Sequence, residues 1–158
     1  MKKILLLIIL LLVVTGCGNK SLLVVSTDYH LKSAATFGGT AIFDDGSVYN
    51  WYYSSTKREY NSYVGGYSMY TKDGLEKFVL EKASLSNKKV SKSDLEKIKD
   101  NIKKLKKPNN CQNGDVYSDI TIFQNNEVVK FATSGNCDVT GNYKAVKELA
   151  MIIDKYQK

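Results

Sequence analysis

TFGGTAIFDDGSVYNWYY, residues 36 to 53, sets β-branched and aromatic residues on both sides of Asp44-Asp45-Gly46. An Asp-Gly pair between such runs is the strongest short-range hairpin signal, because both central residues of the tight turn take positive φ. With Asp45-Gly46 as a two-residue loop, Asp44 faces Ser47, Ile42 faces Tyr49 and Thr40 faces Trp51. That face is the expected core side.

Further along the chain, a second hairpin is expected from about Val116 to Thr133, turning at Asn125-Asn126. Asparagine tolerates the left-handed conformation better than most residues. Gln124 then faces Glu127. The two hairpins share a pattern, in which Ala41-Ile42-Phe43 and Val48 match Thr121-Ile122-Phe123 and Val128 at a constant offset of 80. Any two hairpins with the same inward face look alike, so this is weak evidence of duplication.

Each hairpin is followed by a helix. Ser91 is positioned to cap the first of these, with Asp94 at the third helical position and Val90 able to staple against Leu95. Leu95, Ile98, Ile102 and Leu105 form its apolar stripe, and Pro108 follows its end. The second helix is marked by Val146, Leu149, Ala150, Ile153 and Tyr156, with Thr140 or Asn142 as its cap. Leu22 to Val25 is an apolar, β-prone run, Ser54 to Asp73 reads as an irregular or partly extended loop, and Leu75 to Leu85 fits either a short helix or a strand. The expected class is α+β: an antiparallel sheet of four or more strands from two hairpins, with two main helices on one face.

The N-terminus carries a different kind of information. Lys2 and Lys3 precede an uninterrupted apolar run of eleven residues, Ile4 to Val14. That is the length of a signal-peptide core and shorter than the roughly 17 to 25 residues that span a bilayer. The run ends in Val14-Thr15-Gly16-Cys17, which resembles the lipobox of bacterial lipoproteins: an aliphatic residue, a small one, Gly or Ala, then an obligatory Cys. The resemblance covers the leader only. It implies that residues 1–16 are cleaved, that the Cys17 thiol carries a diacylglyceryl group, and that residues 17–21 tether a single domain, 22–158, to the extracytoplasmic face of the cell membrane. Two acyl chains on one residue meet the two-signal requirement for stable anchoring, at about 0.8 kcal/mol per buried CH₂.

Removing 16 of 158 residues leaves 142, enough for one domain with its own core and small for a two-lobed solute receptor. The leader takes two of the 23 basic residues and none of the 16 acidic ones, so the mature charge is +5. Arg58 is the only arginine. Bidentate phosphate or base readout favours arginine, so this lysine-dominated surface argues against nucleic acid as a partner. Lys88, Lys89, Lys92, Lys97, Lys99, Lys103, Lys104, Lys106 and Lys107 cluster on and beside the capped helix. They suit an anionic bilayer or wall polymer, though Asp94, Glu96 and Asp100 among them also fit a plain solvated face. In an exported chain, Cys111 and Cys137 are expected to form one disulfide, closing a loop of about 26 residues worth roughly 3 to 4 kcal/mol.

Seven of the eleven tyrosines, with Trp51, lie between Tyr49 and Tyr70. Aromatics with polar tips stack on sugars or anchor protein interfaces, which makes Trp51, Tyr60, Tyr63, Tyr67 and Tyr70 the candidate binding residues. The competing reading is that Tyr49 and Trp51 pack the sheet while loop tyrosines cover its edge. His30, beside Asp28 and Tyr29, is the only histidine and the one candidate general base. There is no HExxH, no GxSxG and no phosphate-binding glycine loop, and no metal or cofactor is expected. The expected function is a non-enzymatic module for an envelope protein or cell-wall polymer. A small hydrolase using His30 is the alternative.

Overall fold

The computed structural model describes residues 20–30, 35–55, 63–64, 67–68, 70–106, 116–124, 127–132 and 142–157. In chain order the elements are β1 (Leu22–His30), β2 (Ala35–Phe43), β3 (Ser47–Ser55), β4 (Tyr63–Val64), β5 (Tyr67–Ser68), α1 (Lys72–Lys82), β6 (Ser84–Lys89), α2 (Lys92–Lys104), β7 (Val116–Gln124), β8 (Glu127–Ala132) and α3 (Tyr143–Asp154). Six strands form one antiparallel sheet in the order β6-β3-β2-β1-β7-β8, and β4 and β5 pair separately. The fold is α+β, with α2 and α3 together on one face of the sheet.

A third helix covers the other face. On the α2/α3 side, Val24, Ile42, Val48, Ile120, Ile122, Val129 and Phe131 meet Ile98, Leu149 and Ile153. On the opposite side, Val25, Ala41, Phe43, Tyr49 and Trp51 meet Leu75, Phe78 and Val79 of α1. Neighbouring strand residues point to opposite faces, so runs such as Val24-Val25 and Ala41-Ile42-Phe43 are apolar on both sides because both sides are covered. The segment that fitted helix or strand is a helix followed at once by a strand. Thr71 caps α1 by accepting from the Gly74 amide at 3.1 Å, and Ser84–Lys89 adds an exposed edge strand to β3.

The first hairpin differs from expectation by one residue. Ile42 faces Val48, Ala41 faces Tyr49, Thr40 faces Asn50 and Gly39 faces Trp51. Asp44, Asp45 and Gly46 form a three-residue loop between Phe43 and Ser47, closed by Gly46 N–H donating to the Phe43 carbonyl at 2.9 Å, with φ of 82° at Gly46. The loop is the form in which a tight turn is followed by a left-handed residue, rather than a two-residue turn. Asp45 settles the choice: its Oδ1 accepts from the Ser47 amide at 2.8 Å and the Ser47 hydroxyl at 2.6 Å. A one-residue slip exchanges the faces, and with both faces apolar the hydrophobic pattern did not penalise the wrong register. Gly39 carries the consequence, since a Cβ there would lie 2.3 Å from the Trp51 ring and 2.5 Å from the Ser26 carbonyl oxygen.

The second hairpin has the expected register, with Gln124 opposite Glu127 and Ile122 opposite Val129. Its turn, Asn125-Asn126, lies outside the described residues. The offset of 80 has a structural counterpart on either side of β1. Val24 pairs with both Ile42 and Ile122, Val25 with both Ala41 and Thr121, and the relation holds to His30, opposite Thr36 and Val116. It fails beyond the turns, because the loops differ in length: Val48 joins the α2/α3 core, whereas Val128 packs on the α1 side.

Ser91 caps α2, accepting from the Asp94 amide at 3.1 Å, and Val90 and Leu95 share one cluster as the staple requires. Asn142 stands at the cap position of α3 but does not cap it. Its side chain pairs with the backbone of Lys106, accepting from the amide at 2.9 Å and donating to the carbonyl at 2.7 Å. At the other end, the Tyr156 hydroxyl donates to Asp94 Oδ2 at 2.9 Å and accepts from the Ser91 amide at 3.2 Å. The antiparallel pair α2/α3 is therefore latched at both ends.

Candidate functional site

Lys20, Ser21 and Leu22 enter the fold through a set of contacts drawn from three distant segments. The Lys20 ammonium donates to the Tyr49 hydroxyl and lies 4.7 Å from the Tyr49 ring centroid and 5.2 Å from that of Phe43. The Ser21 amide donates to Asp44 Oδ1 and the Asp44 amide donates to the Ser21 carbonyl, both at 2.9 Å. From α1, Glu76 accepts the Leu22 amide at 3.1 Å, and the Lys72 ammonium donates to the Ser21 hydroxyl. The two aspartates of the hairpin are thus divided: Asp45 shapes the turn while Asp44 fixes the incoming chain. Burial works against the Asp45 carboxylate, yet the Ser47 donors hold its pKa below the usual value.

The aromatic candidates separate by depth. Trp51 is 8% exposed and meets Phe78 edge-on at 5.7 Å between centroids, so it packs α1 onto the sheet. Tyr67 is half-buried against Phe78 at 6.0 Å, and its hydroxyl donates to Glu81, which raises its pKa. Tyr70 is 64% exposed, with the Lys130 ammonium 5.8 Å from its ring. Tyr63 lies in β4, and Tyr60 is outside the described residues. Tyr67 and Tyr70 flank the α1 side of the sheet.

On that face, one rung of the sheet runs Trp51, Gly39, Thr27 and Asp119. Asp119 is 5% exposed, and burial pushes its carboxyl above the usual range against the opposing pull of Lys130. Composition gave no hint of it, since a lone Asp in a strand sequence looks like a solvent-facing position. On the other face, α2 and α3 leave a shallow groove lined by Lys97, Asn101, Lys104, Glu148, Met151 and Lys155. Asn101 Oδ1 is buried there with no partner among the described residues.

His30 ends β1 opposite Thr36 and Val116. Cys17, Cys111 and Cys137 lie outside the described residues. Among the described residues, no three His, Cys, Asp or Glu side chains converge on a metal position, and no helix is long and apolar enough to cross a membrane. No protein family, curated protein or solved structure matches this chain. The residues that join Lys20 to Leu22 to the sheet had no sequence signal: Glu76 is 54 positions from Leu22 and Asp44 is 23 from Ser21.

Proposed function

We propose that this chain is a bacterial lipoprotein, anchored by a lipid on Cys17 to the extracytoplasmic face of the cell membrane, whose domain is a non-enzymatic interaction module. The observation that carries this reading is the sequence Val14-Thr15-Gly16-Cys17, with Cys17 three residues before Lys20, which is bonded to Tyr49 of the sheet. An anchor needs a stem fixed to the fold, and the contacts to Asp44, Tyr49, Lys72 and Glu76 supply one. The half-buried Tyr67 and exposed Tyr70 are the surface for an envelope protein or wall polymer, because aromatic rings with polar tips bind such partners at low conformational cost. Cys111 and Cys137 form a disulfide in this reading. It is supported by β7, which begins five residues after Cys111, pairing antiparallel with β8, which ends five before Cys137.

Growth with an alkyne-bearing palmitate analogue tests the anchor. The wild-type chain should be labelled and sediment with membranes, while Cys17→Ser should lose both the label and the sedimentation. Unlabelled wild type refutes the anchor. Intact mass after alkylation without reductant should report no free thiol at Cys111 or Cys137.

A further inference from the structure

The stem determines which way the domain faces. From Cys17 to Lys20 the chain advances three residues, at most about 11 Å when fully extended, and from Lys20 onward it is bonded into the sheet. The end of the sheet where β1 begins is therefore the end nearest the lipid. Helix α2 lies across that end. The Val90 amide, just before α2, donates to the Gly46 carbonyl at the first hairpin loop, and Gln124 at the end of β7 donates to the Leu105 carbonyl that follows α2. Helix α3 lies further along the strands, where Gln157 bonds Asp28, six residues into the chain from Leu22.

Helical spacing sorts the charges of α2. Asp94, Lys97, Asn101 and Lys104 lie on the flank toward α3, as the Asp94 bonds to Tyr156 and Lys155 require. Lys92, Glu96, Lys99 and Lys103 follow spacings of four, three and four, which puts them on the opposite flank, past the end of the sheet. Lys89 precedes this row and Lys106 follows it. Glu96 pairs with Lys99 at 3.6 Å and Asp100 with Lys103 at 3.7 Å, Lys89 interacts electrostatically with Asp45, and Lys92 and Lys106 have no ion pair among the described residues. Besides Glu96 and Asp100, the acids at this end are Asp44 and Asp45 on the hairpin, where Lys89 acts on Asp45, Asp73 and Glu76 on α1, and Glu127 at the start of β8.

We propose that the lysine edge of α2 is a docking surface for the anionic headgroups of the membrane in which the lipid is anchored, so that the domain leans on this edge in one fixed orientation. The inference rests on lipidation of Cys17. A short stem keeps this edge near the bilayer, and the attraction falls off over a Debye length of roughly 8 Å at physiological salt. The flank of α3 turned away from α2, where Lys147 lies over the Tyr143 ring, then faces away from the membrane.

The test uses the full lipidated chain in vesicles of phosphatidylcholine alone or of phosphatidylcholine with phosphatidylglycerol, exposed to an amine-acylating reagent and read by peptide mass. Lys92, Lys103 and Lys106 should react several-fold more slowly on the anionic vesicles than on the neutral ones, with Lys147 unchanged and the difference abolished by high salt. The triple variant Lys92→Gln, Lys103→Gln, Lys106→Gln, checked for folding by circular dichroism, should lose the protection at Lys89 and Lys99. Equal rates at Lys103 and Lys147, or equal slowing on both vesicle types, would overturn the docking surface. The N-terminal peptide in the same spectra reports the acyl mass separately. Its absence refutes the anchor, whereas a lipidated chain with uniformly reactive lysines refutes the orientation alone.

Discussion

Asp119 and Asp94 are both aspartates near lysines, and their surroundings move them in opposite directions. Burial on the sheet raises Asp119 above the ordinary value of 3.8, with Lys130 only partly opposing. A carboxyl whose folded pKa exceeds its unfolded one contributes fully below the unfolded value, and that contribution is lost as pH rises through the folded value. Asp119→Asn should therefore raise the melting temperature at neutral pH, and its advantage should shrink as pH falls toward 3.8. Thermal unfolding across a pH series measures this, and a variant no more stable than wild type at neutral pH contradicts the burial argument. Asp94 behaves in the reverse sense. The Tyr156 hydroxyl, aided by Lys155 and Lys97, lowers its pKa against a desolvation cost, so its contribution is present at neutral pH and lost as pH falls below 3.8. Neither shift was legible in the sequence, because Lys130 and Tyr156 become neighbours only through strand pairing and helix packing.

The helix pair α2/α3 illustrates which interactions an element carries in its own residues and which it borrows. Ser91 caps α2 through a bond to an amide three residues on, a local relation the sequence spells out. Ser91→Ala should cost about 1 kcal/mol in chemical denaturation. Asn142 is different. Its place at the start of α3 was legible, but its bonds run to Lys106, 36 residues away, and it is 4% exposed. Asn142→Ala removes both bonds and leaves a buried site without them, for an expected loss of about 1 to 3 kcal/mol. A loss in the range of a few tenths would mean that the latch contributes little to holding α3. Helix α1 was the element the sequence left open, since periodicity does not decide between helix and strand in a run as short as Leu75 to Leu85. Contact with Trp51 and Phe43 across the sheet decides it.

At the scale of the molecule, β1 pairs on both edges and is covered on both faces, so its central amides have no route to water short of global unfolding. Hydrogen exchange should be slowest from Val24 to Thr27 and fastest in β6, whose residues are mostly exposed. Comparable rates in β1 and β6 would contradict the two-sided core. The sequence by itself determined the α+β class, the second hairpin's register, the α2 cap and stripe, and the existence of a first hairpin. Each of these rests on bonds or periodicities spanning a few residues. The tertiary structure decided the first hairpin's register, the side of the sheet that α1 covers, the burial of Asp119 and the contacts that fix Lys20 to Leu22. Those depend on groups brought together from distant parts of the chain, and a sheet apolar on both faces leaves no local pattern from which to read them.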